Sequence, residues 1–289
     1  MKKIIYKILK RLLPDKILIS RIKMLDKKQY RGGGIEYIVL SVGHACTLKC
    51  KNCGNFCYCA KPEMKRYRLE DLINDVTNVL SCVNFINELQ IQGGEPFIYS
   101  DLKGLIQFLS SQKKIKHITI ATNGTIIPKD ELFNLIKKYD IALRISNYPI
   151  TKEKGLILYN ECQKRGIDAS IYNFGNNKSE WSYLGGIETP RENDDKIVSK
   201  RFWYCSFKGC LTIDDGEINW CSRIRNAYIL QGFERPKNDH VDVRNSKKLK
   251  ERFWYFINHK NFAEACRYCY GTYDSDKIPP AEQLGHENN

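Results

Sequence analysis

Gly43-His44-Ala45-Cys46-Thr47-Leu48-Lys49-Cys50-Lys51-Asn52-Cys53 holds three cysteines in the spacing C-x3-C-x2-C. The apolar run before it, Tyr37-Ile38-Val39-Leu40, reads as a strand, so the loop lies at a strand's carboxyl end. Thiolates are soft ligands that suit iron–sulfur clusters or zinc. A cubane cluster has four irons, so Cys46, Cys50 and Cys53 would leave one iron without a protein ligand and open to a small molecule.

Outward from this loop the chain alternates. Strands are expected at Tyr37–Val42, Glu88–Gln92, Ile118–Ala121, Ala142–Ser146 and Asp168–Tyr172, with helices at about 69–82, 101–112, 129–138 and 152–165 between them. Such alternation implies βαβ units and a parallel sheet, as a doubly wound sheet or a barrel, with chemistry at the carboxyl ends of the strands. Gln92-Gly93-Gly94-Glu95-Pro96 ends the second strand, Thr122-Asn123-Gly124 the third and Ser146-Asn147 the fourth. Two glycines permit a close backbone approach to a ligand, while Asn-Gly and Ser-Asn are also ordinary turn formers.

The cysteine spacing, its place after the first strand, and a Gly-Gly-Glu-Pro turn at the end of the second resemble the radical S-adenosylmethionine (radical SAM) superfamily. The resemblance implies an α/β fold, a partial (β/α)6 barrel, with a [4Fe-4S] cluster on Cys46, Cys50 and Cys53 and SAM on its open iron. It implies that Gly93, Gly94 and Glu95 engage the methionyl amino group, and that Thr122 and Ser146 contact SAM's carboxylate and ribose. Two departures stand out. Asn52 replaces the usual aromatic before the third cysteine, and no glycine-rich adenine motif is recognisable in Asp168–Phe174.

A second cysteine group lies downstream. Cys205, Cys221 and Cys266-Arg267-Tyr268-Cys269 flank and follow a hairpin expected at Leu211–Trp220 around Asp215-Gly216. This resembles the twitch extension of radical SAM enzymes, a short relative of the SPASM domain, and implies one auxiliary [4Fe-4S] cluster on Cys205, Cys221, Cys266 and Cys269. Cys210 competes with Cys205 for the first position. Zinc is the rival metal, since Cys50/Cys53 and Cys266/Cys269 are C-x2-C pairs. Cys82 and Cys162 fall in helices and read as small core residues, while Cys57 and Cys59 are ambiguous. The five histidines form no H-E-x-x-H and there is no G-x-S-x-G, which removes the common hydrolase readings.

Four parts are expected: a basic amphipathic segment over 1–34, a core over 35–200 containing a polar loop or lid at 176–200, the auxiliary domain over 201–273, and a polar tail over 274–289, poorly ordered at its end. The 289 residues carry a formal charge of +14, and the first 31 hold eleven basic residues against two acids. Ile4, Ile5, Ile8, Leu9, Leu12 and Leu13 follow a helical period. That helix either lies on an anionic membrane surface or partner, or packs its stripe under the core. No nucleic-acid module accompanies the charge. Twelve cysteines without an export signal point to a reducing cytoplasm, at the inner membrane surface if the basic helix is a lipid contact. The expected function is reductive SAM cleavage to a 5′-deoxyadenosyl radical and hydrogen abstraction from a small molecule such as a sugar or nucleotide-sugar, with net oxidation. Flavodoxin or ferredoxin is the reductant the resemblance implies. A peptide maturase and a non-catalytic iron–sulfur or zinc module are the alternatives.

Overall fold

The computed structural model describes residues 14–172 and 180–285. After helix α1 (Asp15–Asp26), strand β1 (Ile35–Ser41) leads to α2 (Leu69–Cys82), β2 (Ile86–Gln92) to α3 (Leu102–Ser110), and β3 (Ile115–Thr122) to α4 (Asp130–Lys138). Strand β4 (Ala142–Ser146) leads to α5 (Lys152–Arg165), and β5 (Ala169–Tyr172) ends the series. Successive strands pair in parallel, as helical crossovers allow. Leu89, Ile91, Ile120, Leu143 and Ile145 join Val76, Leu105, Phe133 and Leu158 in one buried core, so the helices cover that face of the sheet. The alternate strand positions, among them Glu88, Gln90, Thr119, Arg144 and Ser146, turn to the opposite, polar face.

The rest of the chain contributes β6 (Trp181–Ser182), α6 (Asp195–Tyr204), β7 (Leu211–Asp214), β8 (Glu217–Asn219), α7 (Ile224–Gln231), β9 (Val241–Asp242), α8 (Leu249–Asn258) and β10 (Lys277–Ile278). β7 pairs in parallel with the free side of β1, and β8 and β9 add antiparallel beyond it. One eight-stranded sheet results, in the order β5-β4-β3-β2-β1-β7-β8-β9. Among the described residues the βα series therefore supplies five parallel strands rather than six. The sixth parallel place is taken by β7 on the other flank of β1. The Asp-Gly hairpin is present, with Asp215 and Gly216 at φ 45° and 82°, the left-handed pair of a type I′ turn.

One expectation is corrected. Residues 176–200 are not loop throughout, because α6 begins inside them, and the expected boundary at 201 falls within that helix. Asp194 caps it by accepting from the Lys196 N–H at 2.8 Å, and Val198, Phe202 and Trp203 are its buried stripe. The tail is held over its described part, where β10 pairs with β6 and Gln283 forms a bridge with Cys50; its last four residues lie outside the described residues.

Helix α1 packs against α6. Asp15 accepts from Tyr204 Oη at 3.0 Å and pairs with Lys200 at 2.8 Å, and Lys23 lies 4.8 Å over Trp203. The Ile4–Leu13 stripe lies outside the described residues. Among the described residues no helix is long and apolar enough to cross a membrane.

Candidate active site

The cysteine loop is built by the ends of β1 and β2 together. Gly94 N donates to Gly43 O at 3.0 Å and Glu95 N to Ala45 O at 2.8 Å, so the Gly-Gly-Glu-Pro turn grips the loop carrying Cys46. A Cβ on Gly94 would come within 2.0 Å of Ala45 O, and one on Gly93 within 2.3 Å of Gly43 O. The close approach that demands two glycines is thus to the cysteine loop's own backbone.

Glu95 is buried, and its carboxylate is fully used. It accepts from Thr122 Oγ1 at 2.8 Å, Asn123 N at 2.8 Å and Phe97 N at 3.1 Å. Burial raises its pKa, and these donors oppose the rise. The Thr122 hydroxyl also accepts from Gly124 N at 3.1 Å, so Thr122 acts by locking Glu95 to β3. Ser146 is buried at the end of β4. Asn123, expected only as a turn residue, reaches Cys46 Sγ at 3.5 Å and Thr47 Oγ1 at 3.0 Å through Nδ2.

Cys46, Cys50 and Cys53 lie within electrostatic range of one another. Each sulfur has donors aimed at it. Cys46 Sγ accepts from Leu48 N at 3.4 Å as well as from Asn123, and Cys50 Sγ accepts from Gln283 Nε2 at 3.4 Å. Cys53 accepts from the Cys57 thiol and from the backbone N–H groups of Cys57 and Asn55, which hold it below the ordinary thiol range against burial. Burial pushes Cys46 up to about 11 and Cys50 up to about 12. Sulfurs ringed by N–H donors fit thiolates carrying the negative charge of an iron–sulfur cluster. Among the described residues no three Cys, His, Asp or Glu side chains converge on a single-ion site.

His44 completes the loop from below and is almost wholly buried. Its Nε2 lies 3.5 Å from Asp214 Oδ1 on β7, and Tyr67 Oη donates to the same oxygen at 2.8 Å. Burial works against the Asp214 charge, but His44, Arg225 and Tyr67 overcome it and hold the carboxyl below its usual range. This buried network ties the cysteine loop to the hairpin.

The second cysteine group also comes together. Cys205, Cys221, Cys266 and Cys269 line one cavity of about 50 Å³, with Phe202, Trp220 and Ile224 as apolar wall and Arg201, Lys208 and Arg223 beside them. Cys210 does not line it. Gly271 N donates to Cys269 Sγ at 3.4 Å, and Cys205 accepts from Thr272 and the Phe207 N–H. Arg223 donates to Gly54 O at 3.2 Å and Gly185 O at 2.7 Å, and its guanidinium lies 3.9 Å over Phe56. It therefore touches the segment after Cys53 while lining the second cavity. Cys82 and Cys162 are buried in the hydrophobic core.

Residues 40–147, spanning the loop, the Gly-Gly-Glu-Pro turn and the ends of β3 and β4, match the Radical SAM superfamily model. These residues form a radical SAM domain. Within curated proteins, the GTP 3′,8-cyclase of Clostridium acetobutylicum is 31% identical over 134 residues, covering 42% of this chain and 37% of that protein. The GTP 3′,8-cyclase of Petrotoga mobilis is 28% identical over 111 residues, covering 37% of this chain and 32% of that protein. The chain thus spans about a third of the length of these relatives. Among solved structures, BtrN in complex with AdoMet and 2-DOIA superposes with a TM-score of 0.50 over 86% of this chain and 96% of that one, at 13% identity. That likeness is one of fold, and it runs beyond the radical SAM domain into the C-terminal third.

Proposed function

We propose that this chain is a radical SAM enzyme that cleaves SAM reductively and removes hydrogen from a small molecule in a net oxidation, with an auxiliary [4Fe-4S] cluster as electron acceptor. When bound, a [4Fe-4S] cluster with one open iron would supply the electron that splits SAM into methionine and a 5′-deoxyadenosyl radical. The observation that carries the reading is the interlock of Gly93–Glu95 with the Cys46 loop, which fixes the cysteine loop at the carboxyl ends of β1 and β2. Cys46, Cys50 and Cys53 would hold the cluster. Among the described residues no hydrogen bond engages the carbonyls of Gly93 and Gly94, which suits them to accept from the methionyl amino group. Glu95 and Thr122 would keep that turn in place, and Ser146 would face SAM from β4.

The auxiliary cluster is supported by the four cysteines around one cavity and by the charge beside them. Arg223 is only 6% exposed and, among the described residues, pairs with no carboxylate. A buried cation without a counter-ion is costly, and a thiolate-ligated cluster next to it would supply the missing negative charge. Cys205 rather than Cys210 would be the first ligand. With four thiolates no iron would be left for substrate, which favours electron acceptance over substrate binding.

The GTP 3′,8-cyclase relatives act, by their names, on a nucleotide, which accords with a small-molecule substrate. The test is anaerobic incubation of the reconstituted protein with SAM and dithionite. Formation of 5′-deoxyadenosine supports the reading, and its absence from a fully iron-loaded protein rejects it.

A further inference from the structure

We infer that Arg144 is the anchor for an oxyanion, a carboxylate or phosphate, carried by the substrate on the polar face of the sheet. The inference deepens the proposed function by giving the substrate a charge class, and it rests on that face being the reaction chamber.

Arg144 sits in β4 between Leu143 and Ile145, which are both in the helix-covered core, so its side chain projects from the opposite face. In register it is flanked by Ala121 on β3 and Ser170 on β5. Paired residues point to the same side of a sheet, so two small side chains leave room on either side of the guanidinium. The guanidinium lies 4.7 Å from the Tyr172 ring, and its buried Nε has no hydrogen-bond partner. Among the described residues Arg144 makes no ion pair. Glu88, on the same face, instead accepts from Thr119 Oγ1 at 2.9 Å.

Its charge reaches Tyr148 and Cys210. Burial pushes the Tyr148 hydroxyl up and Arg144 opposes it, and the same hydroxyl also feels Cys50 and Cys53. Burial likewise pushes the Cys210 thiol up, and Arg144 again opposes it. Arg144 is therefore within electrostatic reach of Tyr148, just past the end of β4, and of Cys210, just before β7. A cation with no counter-charge among the described residues, a planar fork of donors and small neighbours together suit an incoming oxyanion. A substrate held there by its anion would present its remaining atoms along the face that carries Ser146.

The test is equilibrium dialysis of the reconstituted protein against inorganic phosphate and, separately, acetate, with SAM affinity measured in parallel. Saturable binding of one anion is expected, weakened about tenfold or more in Arg144→Gln and less in Arg144→Lys, which keeps the charge but loses the fork. Preference for phosphate would mark a phosphorylated substrate, and preference for acetate a carboxylic acid. Neither anion binding to the wild type, or unchanged binding in Arg144→Gln, would overturn the inference. So would a parallel loss of SAM affinity in Arg144→Gln, since the residue would then serve the SAM carboxylate. If wild type binds an anion at Arg144 but no SAM, the radical SAM reading fails and the oxyanion site stands.

Discussion

Gln283 donates through Nε2 to Cys50 Sγ at 3.4 Å, from 233 positions further along the chain. The same side chain accepts from Lys49 N at 2.8 Å, while Lys51 N donates to Glu282 O and Leu284 N to Lys49 O, both at 2.8 Å. The end of the described chain is thus a clamp over the middle cysteine of the loop. Hydrogen bonds to cluster sulfurs raise reduction potential by stabilising the more negative, reduced form. Gln283→Leu is expected to lower the potential of the SAM-binding cluster by roughly 30–60 mV, read by potentiometric EPR titration. An unchanged potential would mean that the clamp is structural only.

Gly94→Ala tests the interlock. Its Cβ would meet Ala45 O at 2.0 Å and Cys46 Cβ at 2.8 Å, so the loop must move. Overpacking of this kind costs about 1–3 kcal/mol, concentrated here on the cysteine loop. The variant should lose the loop's iron while keeping the iron of the C-terminal site, measured by iron content and Mössbauer spectroscopy. Full iron retention with normal SAM binding would contradict the role assigned to the glycine.

Asp75 on α2 joins the helix layer to the hairpin. It accepts from Arg244 Nε at 2.6 Å and NH2 at 2.8 Å and from Gly216 N at 2.8 Å, with no exposed surface of its own. Asp75→Ala should destabilise the fold by about 2–4 kcal/mol, below the upper range for broken buried pairs because Arg244 keeps Asp215 and some solvent. Urea unfolding checks this, and a change under about 0.5 kcal/mol would show the bonds to be dispensable.

Lys260 gives a pH dependence. Burial lowers it to about 8 from 10.5, with Asp26, 3.0 Å away, opposing the fall. Between those values the folded chain has released the proton and the unfolded chain still holds it. Stability therefore rises with pH across that window, and below it the burial penalty is present in full. Comparing wild type with Lys260→Met by urea midpoints from about pH 7.5 to about pH 10, the wild type should gain relative to the variant. A constant difference would show that Lys260 does not titrate there.

Much of the fold was legible because the βα region obeys local rules. Helices α2 to α5 and strands β1 to β5 follow from hydrophobic period and turn residues, and the Asp-Gly pair marks the hairpin. Long-range pairing was not legible. Nothing local says that Leu211–Asp214 joins Ile38–Leu40 rather than forming a separate unit. Helix α6 did carry a signal, Asp194 before an apolar i, i+4 pair, but it was masked by the polar residues ahead of it. In the site, the cysteines were identifiable by spacing, whereas Asn123, Gln283 and Arg223 act through contacts with sulfurs or loops distant in sequence. A polar residue in a polar stretch gives no sign of such a partner.

Anaerobic reconstitution of iron and sulfide in wild type, Cys50→Ala and Cys221→Ala, followed by iron counting and an assay of dithionite-driven 5′-deoxyadenosine formation, distinguishes the two cysteine sites. Two [4Fe-4S] clusters predict about eight irons in wild type and about four in each variant, with deoxyadenosine abolished in Cys50→Ala and retained in Cys221→Ala. About four irons in wild type and no change in Cys221→Ala would remove the auxiliary cluster. Zinc in place of iron, with no deoxyadenosine from any of the three proteins, would contradict the account as a whole.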